Sequence, residues 1–453
     1  MGARPRPGLN GWILGVYNVL FLPVLLFLLP GLIRRLVRRG NYREKFGQRF
    51  GLYSQTDRQR LSTGKWVWVH SISVGETLVA LKLARALRAR DGKVKVFLSV
   101  TTSTGFALAR QSAPDWLEVA YNPVDAPWVV ARVLDLVRPV GLVLIEGELW
   151  PNLLAAAVRR GIPVSLANAR MSPRSERRFL RFKPMVGWLF AAMESVCVAE
   201  PEDVERWRRL GAGNVVHTGS IKFDLAVAGN ADADLERTEA LRELLRPFCR
   251  DREQRFCLVA GSTWAPEERV LALAFKRLSA EVPGILLVLV PRHVERAGEL
   301  ERELTALGLA VVRRSLLPGE GAPARCDVLL VDTTGELRHW YALADMVFVG
   351  KSLPGIREVG GQNPAEPAAL GKAVVFGPHM ENFEAVVSGL VRERAALPVP
   401  DAEHLEEALV RLAGAVEERG EMGVRAITVL APHQGATERT ALQLAGGFQW
   451  MDR

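Results

Sequence analysis

The sequence predicts an α/β protein made of two Rossmann-like halves, each a parallel sheet with helices on both faces. Three observations carry this. Short, continuous apolar runs recur beyond residue 50 and alternate with segments of helical spacing. The rhythm stops near residues 225–235 and then restarts. At 453 residues the chain is also too long for one ordinary core.

The first series of strands reads WVWVH (66–70), VKVFLSV (94–100), GLVLIE (141–146), PVSLA (163–167), SVCVA (195–199) and VVHTG (215–219). Each is short and apolar, with polar stretches following. Helical spacing fills residues 77–89 and 127–137 between them. The second series reads FCLVAGS (256–262), GILLVLV (284–290), LAVV (309–312), DVLLVD (327–332), MVFVG (346–350) and AVVF (373–376). The seam LAVAGNADADL (225–235) is small and turn-rich. Its Asp232 and Asp234 match a D-x-D pattern that some transferases use for a metal. They also sit just before an amphipathic helix over 235–245, where Asp serves as an N-cap, and no metal is assigned to them. The expected division is residues 1–40, 41–229 and 230–453.

Lys plus Arg number 59 against 50 acids, a net charge of +9. That balance favours an anionic partner. The basic residues gather near the N-terminus and at strand ends, without the aromatic interleaving of a nucleic-acid surface, so no nucleic acid is expected. Cys197, Cys249, Cys257 and Cys326 are scattered and read as reduced core residues. Residues 12–33 hold 22 positions without a charge, interrupted by Pro23 and Pro30. This length predicts a single N-terminal membrane anchor; a helix lying in the membrane surface is the alternative. Arg34, Arg35, Arg38 and Arg39 follow at once, which places the rest of the chain in the cytoplasm.

Ligands of open α/β sheets bind beyond the carboxyl ends of the strands, so the polar stretches there are the candidate site. HSISVGET (70–77) ends a strand on two hydroxyls and a glycine, then opens a helix with Glu76. Alone, Glu76 reads as a helix N-terminal charge; beside a phosphate site it reads as a general base. Glu146 in EGELWPN directly ends a buried strand and needs partners or a polar site, whereas Glu148 reads as serving the next helix. NARMSPRS brings Asn168, Arg170, Ser172 and Arg174, a set suited to an anionic acceptor. Lys222 follows the last strand of the first half and is placed to meet a leaving phosphate. In the second half Arg292 of PRHVER suits a bidentate phosphate contact, with His293 beside it. In EVGGQNPAEPAALG the glycine pair allows a tight turn, Asn363 can cap, Pro364 suits a helix start, and Glu366 can accept from ribose hydroxyls. Two halves with such strand ends predict a ligand in the cleft between them. A dinucleotide-dependent dehydrogenase is disfavoured, because HSISVGET has one glycine where G-x-G-x-x-G is required.

Together, HSISVGE, EGELWPN, NARMSPRS, GSIKFD, PRHVER, TTGEL, NPAEPAALG and GPHMENF resemble, in order, the motifs of the Kdo (3-deoxy-D-manno-octulosonic acid) transferases of lipopolysaccharide synthesis. The resemblance implies the GT-B fold and an inverting, cofactor-free and metal-free transfer from CMP-Kdo to a phosphorylated lipid A precursor at the inner membrane. It implies Glu76 as the base, with Glu146 and Lys222 stabilising the transition state. It implies a CMP site of Pro291 and Arg292, of Thr334, Gly335 and Glu336, and of Asn363, Pro364, Ala365 and Glu366. Trp264 stands where the family commonly has histidine, Gln362 departs from G-G-H-N, and Lys351 replaces a usual glycine. The alternative is another GT-B transferase, or an epimerase, that uses a different nucleotide sugar.

Overall fold

The computed structural model describes residues 12–21, 45–147, 149–224, 231–248, 256–282, 284–317, 325–356 and 359–447. They form two compact units, Met1–Asp224 with Gly435–Arg453, and Leu225–Gln434. The first holds the strands β1 (Trp66–Ser71), β2 (Lys95–Val100), β3 (Leu117–Tyr121), β4 (Gly141–Ile145), β5 (Val164–Ala169), β6 (Ser195–Val198) and β7 (Val215–His217). Their order is β3-β2-β1-β4-β5-β6-β7, with every adjacent pair parallel. The second unit holds β8 (Cys257–Thr263), β9 (Leu286–Pro291), β10 (Val311–Arg313), β11 (Val328–Leu330), β12 (Met346–Val349), β13 (Ala373–Phe376) and β14 (Ala396–Pro398). Its order is β10-β11-β9-β8-β12-β13-β14, again parallel.

The central strands are buried along their whole length, as uninterrupted apolar runs require. Trp68, Phe97, Leu142 and Leu166 pack on one face of the first sheet, and Val67, Val69, Leu98 and Val143 on the other. Alternate residues of one strand thus feed two cores. Cys197, Cys257 and Cys326 are buried. Two strands escape the sequence reading, β3 and β14. Both lie at sheet edges and are short, and β3 carries Glu118 within it, so neither shows a continuous apolar run.

The chain end also departs from expectation. The sequence reading continued the second domain to residue 453, whereas the helix Ala436–Gly447 packs on the helix Val74–Arg90 and on β5 and β6 of the first unit. Asp224 fastens it: its carboxylate accepts from the amides of Gly435 (2.8 Å) and Thr437 (2.6 Å), satisfying the start of the returning helix. Arg439 donates to the carbonyl of Thr218 at 3.0 Å, and Thr440 shares a hydroxyl hydrogen bond with the same residue.

Most of the expected membrane anchor, residues 22–33, lies outside the described residues. Among the described residues no helix is long and apolar enough to cross a membrane. Residues 12–21 are helical and fastened to the first unit. Ile13 and Leu14 are buried, Tyr17 donates to Asp125 at 3.0 Å, and Asn18 and Asn152 exchange side-chain hydrogen bonds. Asp125 is buried and also accepts from the amides of Asn152 and Leu153. Burial pushes its carboxyl above the usual range, against the pull of those donors. The arginines at 34, 35, 38 and 39 lie outside the described residues.

Asp224→Ala leaves two helix-start amides without their acceptor. The expected loss is about 2–3 kcal/mol of unfolding free energy in a urea titration. An unchanged midpoint would show that the returning helix does not depend on this cap.

Candidate functional site

In the first unit the site begins where β1 turns into a helix. Ser73 caps the helix Val74–Arg90, accepting from the amide of Glu76 at 3.2 Å. Glu76 reaches back: one carboxylate oxygen accepts from the amide of Ile72 at 2.8 Å, and the other from the hydroxyl of Ser73 at 3.1 Å. This is a near relative of the capping box, shifted by one residue. Both readings of Glu76 from the sequence therefore meet in one group. It stabilises the helix start, and the same bonds fix the carboxylate in one orientation. Ser71 and Thr77 share a hydroxyl bond beneath it.

Glu146 and Asn168 follow from β4 and β5, and both adopt the left-handed backbone, with φ of 69° and 54°. This conformation is costly for residues with a side chain and turns each one sharply at its strand end. The fully buried Asn168 is a clamp: its carbonyl oxygen accepts from the amide of Ile221 at 2.8 Å and its amide reaches Glu146 at 3.4 Å. The neighbouring Lys222 then pairs with Glu146 at 2.5 Å. The sequence reading set Lys222 against a leaving phosphate; here its ammonium meets a carboxylate of its own unit. A methyl group on Gly75 would lie 3.8 Å from the lysine Nζ, so the pair stands beside the turn that carries Glu76. Glu76, Glu146 and Lys222 are thus gathered at one end of the first sheet. Ser172 instead caps the helix Pro173–Arg181, and Arg170 and Arg174 are exposed on the adjoining surface. Glu148 lies outside the described residues.

A buried network supports this end. His70 accepts from the indole N–H of Trp150 at 2.9 Å, and its other ring nitrogen meets the hydroxyl of Ser99 at 3.1 Å. Trp150 precedes the helix Pro151–Arg159 and closes the loop that starts at Glu146. Burial pushes the imidazole down to about 3 from its ordinary 6.5, so the ring is neutral at physiological pH.

In the second unit Arg292 is exposed at the end of β9, and its amide donates to the carbonyl of Thr263 at 3.0 Å. Pro291 beneath it is buried. Thr334 is exposed, and Gly335 turns with φ of 80°. Glu336 is buried, accepting from Thr333 at 2.6 Å and Arg314 at 3.1 Å. Gly360 and Gly361 have φ of 128° and 73°, and side chains there would strike Asn382 and Met380. The glycine pair is thus required by both backbone and space. Asn363 accepts from the amide of Ala365 and donates to Glu366, both at 3.1 Å. The helix Ala365–Ala369 that begins here has only five residues, with Pro364 one position before it. A single turn sums little dipole, so this helix start offers little to an anion. Asp234 pairs with Arg338 and His339 in this unit.

One residue the sequence reading passed over organises this end. Glu267 is fully buried, and its carboxylate accepts from the amides of Trp264, Lys351, Ser352 and Leu353 at 2.7–3.1 Å. It stitches the loop after β8 to the loop after β12. Burial raises its pKa, against the opposing pull of four N–H donors. In the sequence it is one of two adjacent acids at a helix start, with no sign of four long-range partners.

Residues 44–225 match the family model described as 3-deoxy-D-manno-octulosonic-acid transferase (kdotransferase). The chain is 31% identical over 408 residues to a 3-deoxy-D-manno-octulosonic acid transferase of Haemophilus influenzae, covering 89% of this chain and 91% of that one. It is 36% identical over 390 residues to the one of Bordetella pertussis, covering 83% and 85%. A solved structure of MurG from Acinetobacter baumannii shares the fold, with a TM-score of 0.50 at 14% identity over 84% of this chain and 99% of that one.

Because His70 is uncharged when folded and titrates near 6.5 when unfolded, protonation favours the unfolded chain between those values. Stability should therefore rise with pH from about 3 to 6.5, by at most about 1.4 kcal/mol per unit from this group. Measured by denaturation against pH, His70→Gln should flatten that slope; an equal slope in the variant would assign it to other groups.

Proposed function

The chain belongs to the 3-deoxy-D-manno-octulosonic acid transferase family, and from that premise we propose how its residues carry the transfer. The reaction moves Kdo from CMP-Kdo to a hydroxyl of a phosphorylated lipid A precursor. The acceptor oxygen attacks the anomeric carbon, the bond from that carbon to the CMP phosphate breaks, and the configuration inverts. Glu76 takes the hydroxyl proton as general base. CMP departs as an anion, its charge met by Arg292 and Lys222. Glu146 holds the Lys222 ammonium in place.

The observation that carries this reading is the fixed Glu76 carboxylate, held by Ile72 and Ser73 beside the Lys222–Glu146 pair. A base must be oriented before it is useful, and a nearby cation keeps it and the departing phosphate in one electrostatic setting. On the second unit CMP contacts Pro291 and Arg292, the turn of Thr334 and Gly335 backed by Glu336, and the segment Asn363, Pro364, Ala365 and Glu366. Glu366 accepts from the ribose.

The helix 12–21 suits a monotopic seat at the inner membrane, with the catalytic units in the cytoplasm. Trp12, Val16, Val19 and Leu20 are exposed on it while Ile13 and Leu14 face inward. An apolar outer stripe followed in sequence by arginines is the pattern of an interfacial helix at an anionic lipid surface. Flotation with anionic vesicles should carry the protein up, and high salt should weaken it; a protein that stays at the bottom in low salt contradicts this seat.

Incubated with CMP-Kdo and a tetraacylated lipid A precursor, the protein should add Kdo, counted by product mass; a UDP-sugar should not replace the donor. Glu76→Gln keeps an acceptor for the Ile72 amide and should retain fold and CMP binding. Its transfer rate should fall about 10²–10⁴-fold, the usual worth of a general base. Normal turnover by this variant would remove Glu76 from the mechanism.

A further inference from the structure

We propose that Lys351 is an oxyanion-binding residue of the donor site, held for that task by Trp264. The inference rests on the transferase reading above. In the second sheet β8 lies between β9 and β12, and the chain leaves β8 toward β9. The ends of β8 and β12 therefore border the point where strand order reverses, the crevice in which open α/β sheets bind ligands. Trp264 follows β8 and Lys351 follows β12. The lysine Nζ stands 4.4 Å from the centre of the indole ring, within cation–π range. The indole also makes a T-shaped contact with His293, next to Arg292, with ring centres 4.8 Å apart. Sequence reading treated Trp264 and Lys351 as separate departures; the fold makes them one contact.

The backbone of Lys351 argues for selection of its charge. Its φ is 60°, the left-handed region that glycine enters freely and lysine does not. Its amide donates to Glu267 at 2.7 Å and its carbonyl accepts from Gly361 at 2.9 Å, so the root of the side chain is pinned at both ends. A long cation is thus kept on a backbone that would be more comfortable without it. Two donors close by, the indole N–H of Trp264 and the hydroxyl of the fully buried Thr263, have no acceptor among the described residues. An ammonium beside donors that lack acceptors is a setting for an oxyanion. CMP-Kdo brings two kinds, the phosphate of the nucleotide and the carboxylate of the sugar acid.

Calorimetric titration of the full chain with CMP and with CMP-Kdo tests this. Lys351→Gly relieves the backbone and should melt no lower than wild type, yet bind CMP-Kdo about tenfold more weakly. Lys351→Arg should restore most of that affinity; failure to restore it would overturn charge as the cause. If Lys351→Gly loses affinity for CMP as well, the anion is the phosphate; if CMP binding is unchanged, it is the carboxylate. Wild-type affinity for both ligands in Lys351→Gly overturns this proposal alone. A wild-type protein that ignores CMP overturns the transferase reading and this one with it.

Discussion

A parallel sheet covered on both faces has no room for an unpaired charge except at its ends, and this constraint shapes the molecule. Strands such as Trp66–Ser71 and Leu286–Pro291 are buried throughout. Polar chemistry is pushed to where strands stop, and the backbone there is bent to present it. Seven described residues other than glycine have positive φ, and four of them, Glu146, Asn168, Ser262 and Lys351, stand at strand ends. Each costs about 1 kcal/mol or more in that conformation. The cost is offset by bonds that leave no alternative, such as the Asn168 clamp on Ile221 and the Glu267 carboxylate on four amides.

The same logic explains why the proposed catalytic roles coincide with structural ones. A carboxylate that accepts from a helix-start amide is rigid because folding needs it rigid. Glu76 inherits its aim from the cap, and Lys222 inherits its position from Asn168 through the segment 221–222. The neutral His70 holds Trp150, and through it the loop from Glu146, without adding a charge that would compete with the site. The groups proposed to face the substrate are therefore backed by residues whose own partners are in the core.

The sheet framework was legible because continuous apolar runs admit few other structures. The strands from 66 to 217 and from 257 to 376 fall within a few residues of their apolar segments. The edge strands β3 and β14 were not: Glu118 interrupts the first, and the second has only three residues and ends on Pro398. The return of the helix Ala436–Gly447 was hidden because Asp224 and Gly435 are 211 positions apart. At the N-terminus the hydropathy of the run was legible, whereas the bonds of Tyr17 to Asp125 and of Asn18 to Asn152 were not, because their partners lie more than a hundred positions away. In the site, acids at strand ends were visible as types. Their partners were not: nothing local links Glu146 to Lys222, Glu267 to Leu353, or Trp264 to Lys351.

The most direct test of the central claim is a crystal structure of the Glu76→Gln protein trapped with CMP-Kdo and the lipid acceptor. The account requires the attacking hydroxyl to be hydrogen-bonded to the side chain at 76 and to lie about 3–3.5 Å from the anomeric carbon, with the phosphate on Arg292. An acceptor hydroxyl bound to a different base, with residue 76 serving only its helix cap, would contradict it.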